Sequence, residues 1–506
     1  MKRTARLGIV VLLLSIFSSF SGVFPLPAKP LSYLSRIDPV LAATPCSLSL
    51  QSLVDAAAPG AVVSIPACIY RETVTINKPL TLDGQPGAEI RGSDIWSSGW
   101  KKRGKYWTRG TVPTFPQGNW PCMPWSHGEC RWPEQVFFDG RPVEQVAANP
   151  QSGQFAIDSG RRVILADDPR GHLVEVTTRQ YWIIGQSDNV IIQGFTMKHA
   201  ATPAQYGALS NDGHDNWTIQ NNTLSDAHGA VVSLRNANGL KLLNNDISRG
   251  GQEGIHGTAA TDVLVQGNRI HDNNTEAFDA GWEAAGLKIT VMTRLTITGN
   301  EVFANDSPGL WCDINCNSVE FNANRVHHNS RFGIGYEISR SATISGNSVW
   351  ENGWGNTGWG WGAGILSQNS GDVDVHDNIV AWNADGISII SQNRGDSPPV
   401  TENNVHDNKM FSTTTGDYNE YALAWLEDWD GRLFDPSSNN HGANNAYWFE
   451  AAMSSPFAWA DQRFSSDKLA DFNTTPGEKN GRYLSVQEKG QVLTAAGVPV
   501  SPEHRK

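Results

Sequence analysis

The stretch Ile219-Gln220-Asn221-Asn222-Thr223-Leu224 decides the architecture of this chain. It places an apolar residue, two variable residues, an Asn, one further residue and a second apolar residue in order. The phrase returns from Leu242 to Ile247 around Asn245, then around Asn268, Asn300, Asn324, Asn347, Asn378 and Asn408. The intervals are 23, 23, 32, 24, 23, 31 and 30 residues. Phe195 holds the same place one turn earlier. A unit of 23 residues with occasional insertions predicts an all-β fold, one coil per repeat of a right-handed parallel β-helix. Each coil buries its apolar face only by stacking on its neighbours. A leucine-rich repeat has a similar period, but its leucine consensus is absent. Short β-branched strands and Asn/Gly turns fit the β-helix. At such a turn an Asn tolerates unusual backbone angles and bonds local backbone groups, and stacked coils let its amide bond the Asn above and below. The triplets His-Asp-Asn at His271, His376 and His406, with the variant His327-His328-Asn329, are expected at the same turn.

A second phrase marks another strand of each coil. It starts at Gly229, Gly254, Gly286, Gly309, Gly333, Gly364 and Gly386, and the next residue is always apolar (Ala230, Ile255, Leu287, Leu310, Ile334, Ile365, Ile387). Side chains alternate along a strand, so positions two and four after Gly point outward. At two after Gly these are Val231, His256, Lys288, Trp311, Gly335, Leu366 and Ser388. At four they are Ser233, Thr258, Thr290, Asp313, Glu337, Gln368 and Ile390.

Working outward, residues 43–94 read as an N-terminal coil and 95–180 as an inserted β-rich subdomain, rich in Trp, Pro and Gly. Residues 181–415 form the β-helix, and 416–506 a cap over strand edges that would otherwise lie open. Lys2, Arg3 and Arg6 followed by an apolar run predict an export signal over residues 1–42, with an uncleaved anchor as the rival reading. Export would make the protein extracellular. No later apolar run is long enough to span a bilayer. Six cysteines fit an oxidising compartment; the local pairs are Cys46–Cys68, Cys122–Cys130 and Cys312–Cys316. The last pair needs the strand to turn near Asn315, because four residues of extended strand separate Cα atoms by about 13 Å and a disulfide needs less than about 7 Å.

The 506 residues carry a net charge of −12, and loss of residues 1–42, with five basic groups and one acid, takes it to −16. Such a surface is unsuited to nucleic acid. With 39% hydrophobic and 18% charged residues, the chain is also neither disordered nor collagenous. Trp is unusually frequent, at 19 against 10 Tyr.

Asp313 and Glu337 fall at equivalent places on neighbouring coils. Adjacent strands lie about 4.8 Å apart, so two carboxylates are expected on the order of 5 Å apart. Like charges at that distance raise one pKa, which yields an acid and a base from one residue type. The spacing matches the roughly 5–5.5 Å of a retaining glycosidase. Lys288, one coil earlier, would contact a sugar hydroxyl, lower the pKa of Asp313 or merely pair with it. His256 lies one coil further away. Trp311 shares the face of Asp313. The insertion after Asn347 carries Trp354, Trp359 and Trp361 among glycines, and the one before Asn300 carries Trp282 and Glu283. Aromatic faces on such loops suit the C–H faces of sugar rings, and loops on a rigid scaffold often carry function.

The run Gly309-Leu310-Trp311-Cys312-Asp313, followed by Gly335-Tyr336-Glu337-Ile338-Ser339, resembles the paired motifs of parallel β-helix β-xylosidases of glycoside hydrolase family 120. The resemblance implies Asp313 as nucleophile and Glu337 as general acid/base, and a β-sandwich insertion comparable to residues 95–180. The motif match spans about 30 residues. Cys312 and Cys316 bracket the Asp, and Tyr336 stands where a Phe-like residue is expected, so the sugar specificity does not carry over. The expected function is thus a secreted retaining glycoside hydrolase acting on an oligo- or polysaccharide, neutral given the acidic charge and xylan-like as the resemblance implies. It needs no cofactor or metal. The first alternative is a polysaccharide lyase with Lys288 as base and calcium held by acids. The second is a non-catalytic surface protein that binds carbohydrate.

Overall fold

Among the described residues, three sheets of 12, 13 and 13 strands, parallel but for the last strand of one, Gln462–Phe464, are built up as each coil adds one strand to each. The protein is a right-handed parallel β-helix. The computed structural model describes residues 46–503 except 127, 396 and 417–419. The expected export signal, residues 1–42, lies outside the described residues. No described helix is long and apolar enough to cross a membrane.

The recurring Asn builds a ladder along the helix. Asn245 donates its backbone N–H and its side-chain amide to Asn268 Oδ1, both at 2.9 Å, and Asn268 does the same to Asn300 Oδ1 at 2.9 and 3.0 Å. The other amide hydrogen goes to a carbonyl of the preceding coil, as from Asn300 to Val265. Buried polar groups are thereby satisfied turn by turn. The left-handed residue is the one before each ladder Asn: Asn221, Asn244, Ala323, Asp377 and Asp407 have φ near 55°, and glycine fills the place at 267, 299 and 346. The ladder Asn contributes its side chain rather than an unusual backbone angle.

The His-Asp-Asn triplets do not share one turn. Asn378 and Asn408 belong to the first ladder. Asn273 and Asn329 stand in a second ladder, Asn273–Asn305–Asn329–Asn352–Asn383, at a different corner of the coil. The similar triplets conceal two corners because both need the same tight, amide-bonded bend.

A helix over Leu50–Ala56 closes the N-terminal end and buries Leu50 and Val54 against the first coil. Between Ser93 and Thr177 the chain leaves the coils and forms a separate eight-stranded, mainly antiparallel sheet. It has its own core around Trp96, Trp107, Val136 and Phe155. Arg71 and Arg91 of the first coils hold its buried Glu175 at 2.7 and 2.6 Å. The coils also continue past residue 415. Leu423–Leu426, His441–Ala443, Ala446–Phe449 and Phe457–Trp459 add further parallel strands. Asn445 takes the ladder from Asn408, so coil strands run on into residues 416–506, and Arg482–Tyr483 still pairs in parallel with Ala446–Phe449. The 37-residue interval and Gly442 at the first apolar place hid this coil. Glu478 ends the ladder, accepting from Asn445 Nδ2 at 2.8 Å and from the Tyr447 hydroxyl at 2.5 Å.

Three disulfides join Cys46–Cys68, Cys122–Cys130 and Cys312–Cys316. In the last, Ile314 (φ 55°) and Asn315 (φ 58°) are both left-handed. They turn the chain hard enough to bring the Cα atoms to 6.3 Å.

Candidate active site

The face carrying the candidate residues is the outer side of the sheet that contains Leu310–Asp313 and Ile334–Glu337. Leu310 pairs with Ile334, Trp311 with Gly335, Cys312 with Tyr336 and Asp313 with Glu337. Leu310, Cys312, Ile334 and Tyr336 enter the main core, whereas Trp311 belongs to a separate outer cluster. The register runs back through Lys288, which pairs with Trp311, to His256, which pairs with Lys288. One coil departs from the sequence reading. Val232, not Ala230, pairs with Ile255, so Ser233 and Arg235 hold the two outward places instead of Val231 and Ser233. The strand there starts in register with its neighbours, Ala230 opposite Glu253, but its glycine, Gly229, lies two residues ahead of the position that Gly254 holds.

The outer face is not solvated. His256, Lys288, Trp311, Asp313 and Glu337 are all buried, with Asp313 5% and Glu337 6% exposed. Burial makes the partners of each charge decisive, because an unpaired buried ion is costly. Lys288 is the hub. Its Nζ lies 3.2 Å from Asp313 Oδ2, 3.1 Å from Glu283 Oε2 and 3.5 Å from the centroid of the Trp311 ring, and it donates to the Trp282 carbonyl at 2.5 Å. Asp313 Oδ1 is buried with no hydrogen-bond partner among the described residues. Trp311 donates from Nε1 to Glu337 Oε2 at 3.1 Å. Arg394 NH1 lies 2.6 Å from Glu337 Oε1. Phe332 stands edge-on to Trp311, with centroids 5.5 Å apart, and occupies the space a side chain at 335 would need.

The carboxyls titrate differently as a result. Burial, and then the charge of Asp313, push Glu337 up to about 7, with Arg394 and Lys288 pulling the other way. Burial also raises Asp313, opposed chiefly by the Lys288 ammonium. Lys288 stays protonated: burial disfavours its charge, but the carboxylates of Glu283, Asp313 and Glu337 outweigh burial and hold its pKa above the usual value.

Deeper along the same face, His256 Nδ1 lies 3.3 Å from Glu253 Oε2 and 4.0 Å from Glu283 Oε1. These three residues converge within 4.8 Å, the spacing of a possible ligand set. One imidazole and two carboxylates, one of them shared with the Lys288 ammonium, differ from the shell of about six to eight oxygens that calcium takes.

The tryptophans divide. Trp359 and Trp361 pack on the cluster that holds Trp311, Leu366 and Tyr421. Trp282 offers its carbonyl to Lys288, while its ring stacks on Trp120 of the inserted subdomain, 5.6 Å between centroids. Trp354 points elsewhere and donates to the carbonyl of Trp382, in the cluster beneath the C-terminal helix. Sequence reasoning missed Arg394, Glu253 and Phe332. Arg394 sits in the 30-residue interval before Asn408, close in length to the 31- and 32-residue intervals that carry Trp354 and Trp282. Glu253 precedes the Gly of its phrase and so escapes a count that begins after Gly.

Residues 207–365 match the family described as "Right handed beta helix region". No curated protein sequence matches the chain. Among solved structures, the chain is similar to the complex of XylC with xylose, at 16% identity and a TM-score of 0.63, covering 86% of this chain and 83% of that one. A structure described as a glycoside hydrolase matches at 12% identity and a TM-score of 0.38, covering 87% and 92%. The Azotobacter vinelandii mannuronan C-5 epimerase AlgE4 A-module matches at 13% and 0.41, covering 81% and 94%. The XylC likeness establishes the shared β-helix fold.

Proposed function

We propose that the protein is an extracellular retaining glycoside hydrolase for a neutral, xylan-like saccharide, with Asp313 as nucleophile and Glu337 as general acid/base. The observation that carries this reading is the direct pairing of Asp313 with Glu337 on neighbouring strands, each with a different set of partners. Strands about 4.8 Å apart suit the roughly 5–5.5 Å of the retaining geometry. Lys288 favours the ionised form of Asp313 and orients Oδ2, leaving Oδ1 free to attack. Glu337, pushed up to about 7, carries a proton to donate at mildly acidic pH.

In the first step Asp313 Oδ1 forms a bond to the anomeric carbon as the bond to the leaving oxygen breaks. Glu337 gives that oxygen its proton. In the second step Glu337 takes a proton from water, whose oxygen displaces Asp313 and regenerates both carboxyls. Trp359 and Trp361, packed on the outer cluster that holds Trp311, would flank a sugar ring. The xylose bound by XylC supports a pentose as the first sugar to try. Lys288 is a poor lyase base, because two carboxylates and a carbonyl hold its proton.

Asp313→Asn and Glu337→Gln, assayed on aryl glycosides and natural xylans, are expected to lose hydrolysis while keeping the far-ultraviolet dichroism of the wild type. Proton NMR of the first-formed sugar should show a retained anomer. Near-normal turnover by either variant, an inverted anomer, or an unsaturated product absorbing in the ultraviolet would overturn the reading.

A further inference from the structure

The two oxygens of Glu337 are both engaged. Trp311 Nε1 donates to Oε2 at 3.1 Å, and the Arg394 guanidinium lies 2.6 Å from Oε1. That arrangement suits a carboxylate, since an ionised carboxyl is an acceptor only. A general acid needs one oxygen to carry a proton and to face the leaving group. Trp311 is fixed in a sheet strand and braced by Phe332. Arg394 instead stands outside the strands, in the segment between Asp385–Ile390 and Asn404–His406, with a quarter of its side chain exposed. Of the two donors, Arg394 is the one free to withdraw.

We propose that Arg394 is a positioning residue for the acid/base. It pairs with Glu337 Oε1 when that carboxyl is ionised, and yields the place to a proton and the glycosidic oxygen when the leaving group binds. The inference rests on Glu337 being the acid/base. The charged groups facing Glu337 are Asp313 and Lys288 from the preceding coils and Arg394 from the segment above. The following strand presents the neutral Gln368 at the paired position, itself bonded to Gln392. Asp313 opposes ionisation of Glu337, whereas Lys288 and Arg394 favour it. Lys288 is committed to Asp313 and Glu283, so Arg394 supplies the contact that steadies the carboxyl whenever it is ionised. The same contact makes every leaving group compete with a guanidinium for one oxygen.

The test is the pH profile of kcat/KM for Arg394→Gln and Arg394→Lys in the full chain. A general acid acts only while protonated, so activity falls as pH rises through the pKa of Glu337. Loss of a cation at hydrogen-bond distance should move that alkaline limb upward by about one pH unit or more. Arg394→Lys, which keeps the charge, should leave the limb near its wild-type place. Titration of ¹³C-carboxyl-labelled Glu337, assigned by its absence in Glu337→Gln, should show the same upward movement without any substrate. An unmoved limb and an unmoved resonance in Arg394→Gln would overturn the proposal. A moved resonance together with an active Glu337→Gln would instead leave Arg394 as the partner of Glu337 and remove the catalytic reading.

Discussion

Glu337→Gln should stabilise the protein at neutral pH while abolishing its activity. Glu337 is 6% exposed and faces Asp313. Its carboxyl, ordinarily at 4.5, is pushed up to about 7 in the fold by burial and by that neighbouring charge. A carboxyl raised by folding binds its proton more tightly in the folded chain than in the unfolded one. Stability is therefore full below the unfolded value, falls as pH rises from about 4.5 to about 7, and stays reduced above. A movement of that size corresponds to about 3 kcal/mol. Unfolding entropy of about 2.1 cal/mol/K per residue, over a chain this long, comes to about 1 kcal/mol/K, so 3 kcal/mol becomes about 3 °C. Gln keeps the shape and an acceptor for Trp311 but cannot ionise. The assay is calorimetry of both proteins at one scan rate between pH 4 and 8.5, read as the difference in Tm. All other ionisable groups are common to the two chains, so their titrations largely cancel. Asp313, freed from a like charge, adds a change of the same sign. The difference should be near zero at pH 4.5 and rise by about 3 °C by pH 8. A difference that is flat, or that falls with pH, would refute the reasoning.

Two further outcomes follow from the scaffold. Asn300→Ala removes the acceptor of Asn268 N, while Nδ2 keeps the carbonyls of Leu242 and Gln266; a buried donor left unpaired costs about 1–3 kcal/mol. Thermal unfolding should thus drop by the equivalent of about 1–3 kcal/mol, with amide exchange at Asn268 accelerated, and unchanged exchange would contradict the ladder's role. Gly335→Ala would place a methyl 2.3 Å from the Phe332 ring. Displacing that ring loosens the brace on Trp311, so steady-state kinetics should show kcat/KM reduced, with a stability loss of about 1–3 kcal/mol; full activity would show that Phe332 does not position Trp311.

Periodic features were legible without coordinates. The 23-residue spacing of Asn222, Asn245 and Asn268 specifies a coil, because only stacked turns let each amide meet the next. The Gly phrases align Asp313 with Glu337, because strand alternation and parallel stacking leave a single register once the core residues Leu310 and Ile334 are matched. Where periodicity lapsed, so did the reading. Gly229 lies two residues ahead of the register that the later glycines keep, and Asn445 sits behind a 37-residue interval. The two corners of the Asn ladders carry the same triplet, which no local pattern separates.

Insertions lie outside any repeat, so their paths follow from long-range packing. Sequence spacing alone cannot tell that Trp359 and Trp361 return to the outer cluster while Trp354 turns toward Trp382. The same holds for Arg394, whose guanidinium reaches a carboxylate 57 positions earlier. Burial of the outward face is likewise a property of the assembled loops. That burial raises the pKa of Glu337 and turns Lys288 from a surface cation into the counter-charge of Asp313. The repeat dictates which side chains share a face, because backbone hydrogen bonding is local and regular. What surrounds that face, and therefore its charge states, is decided by contacts between segments far apart in the chain.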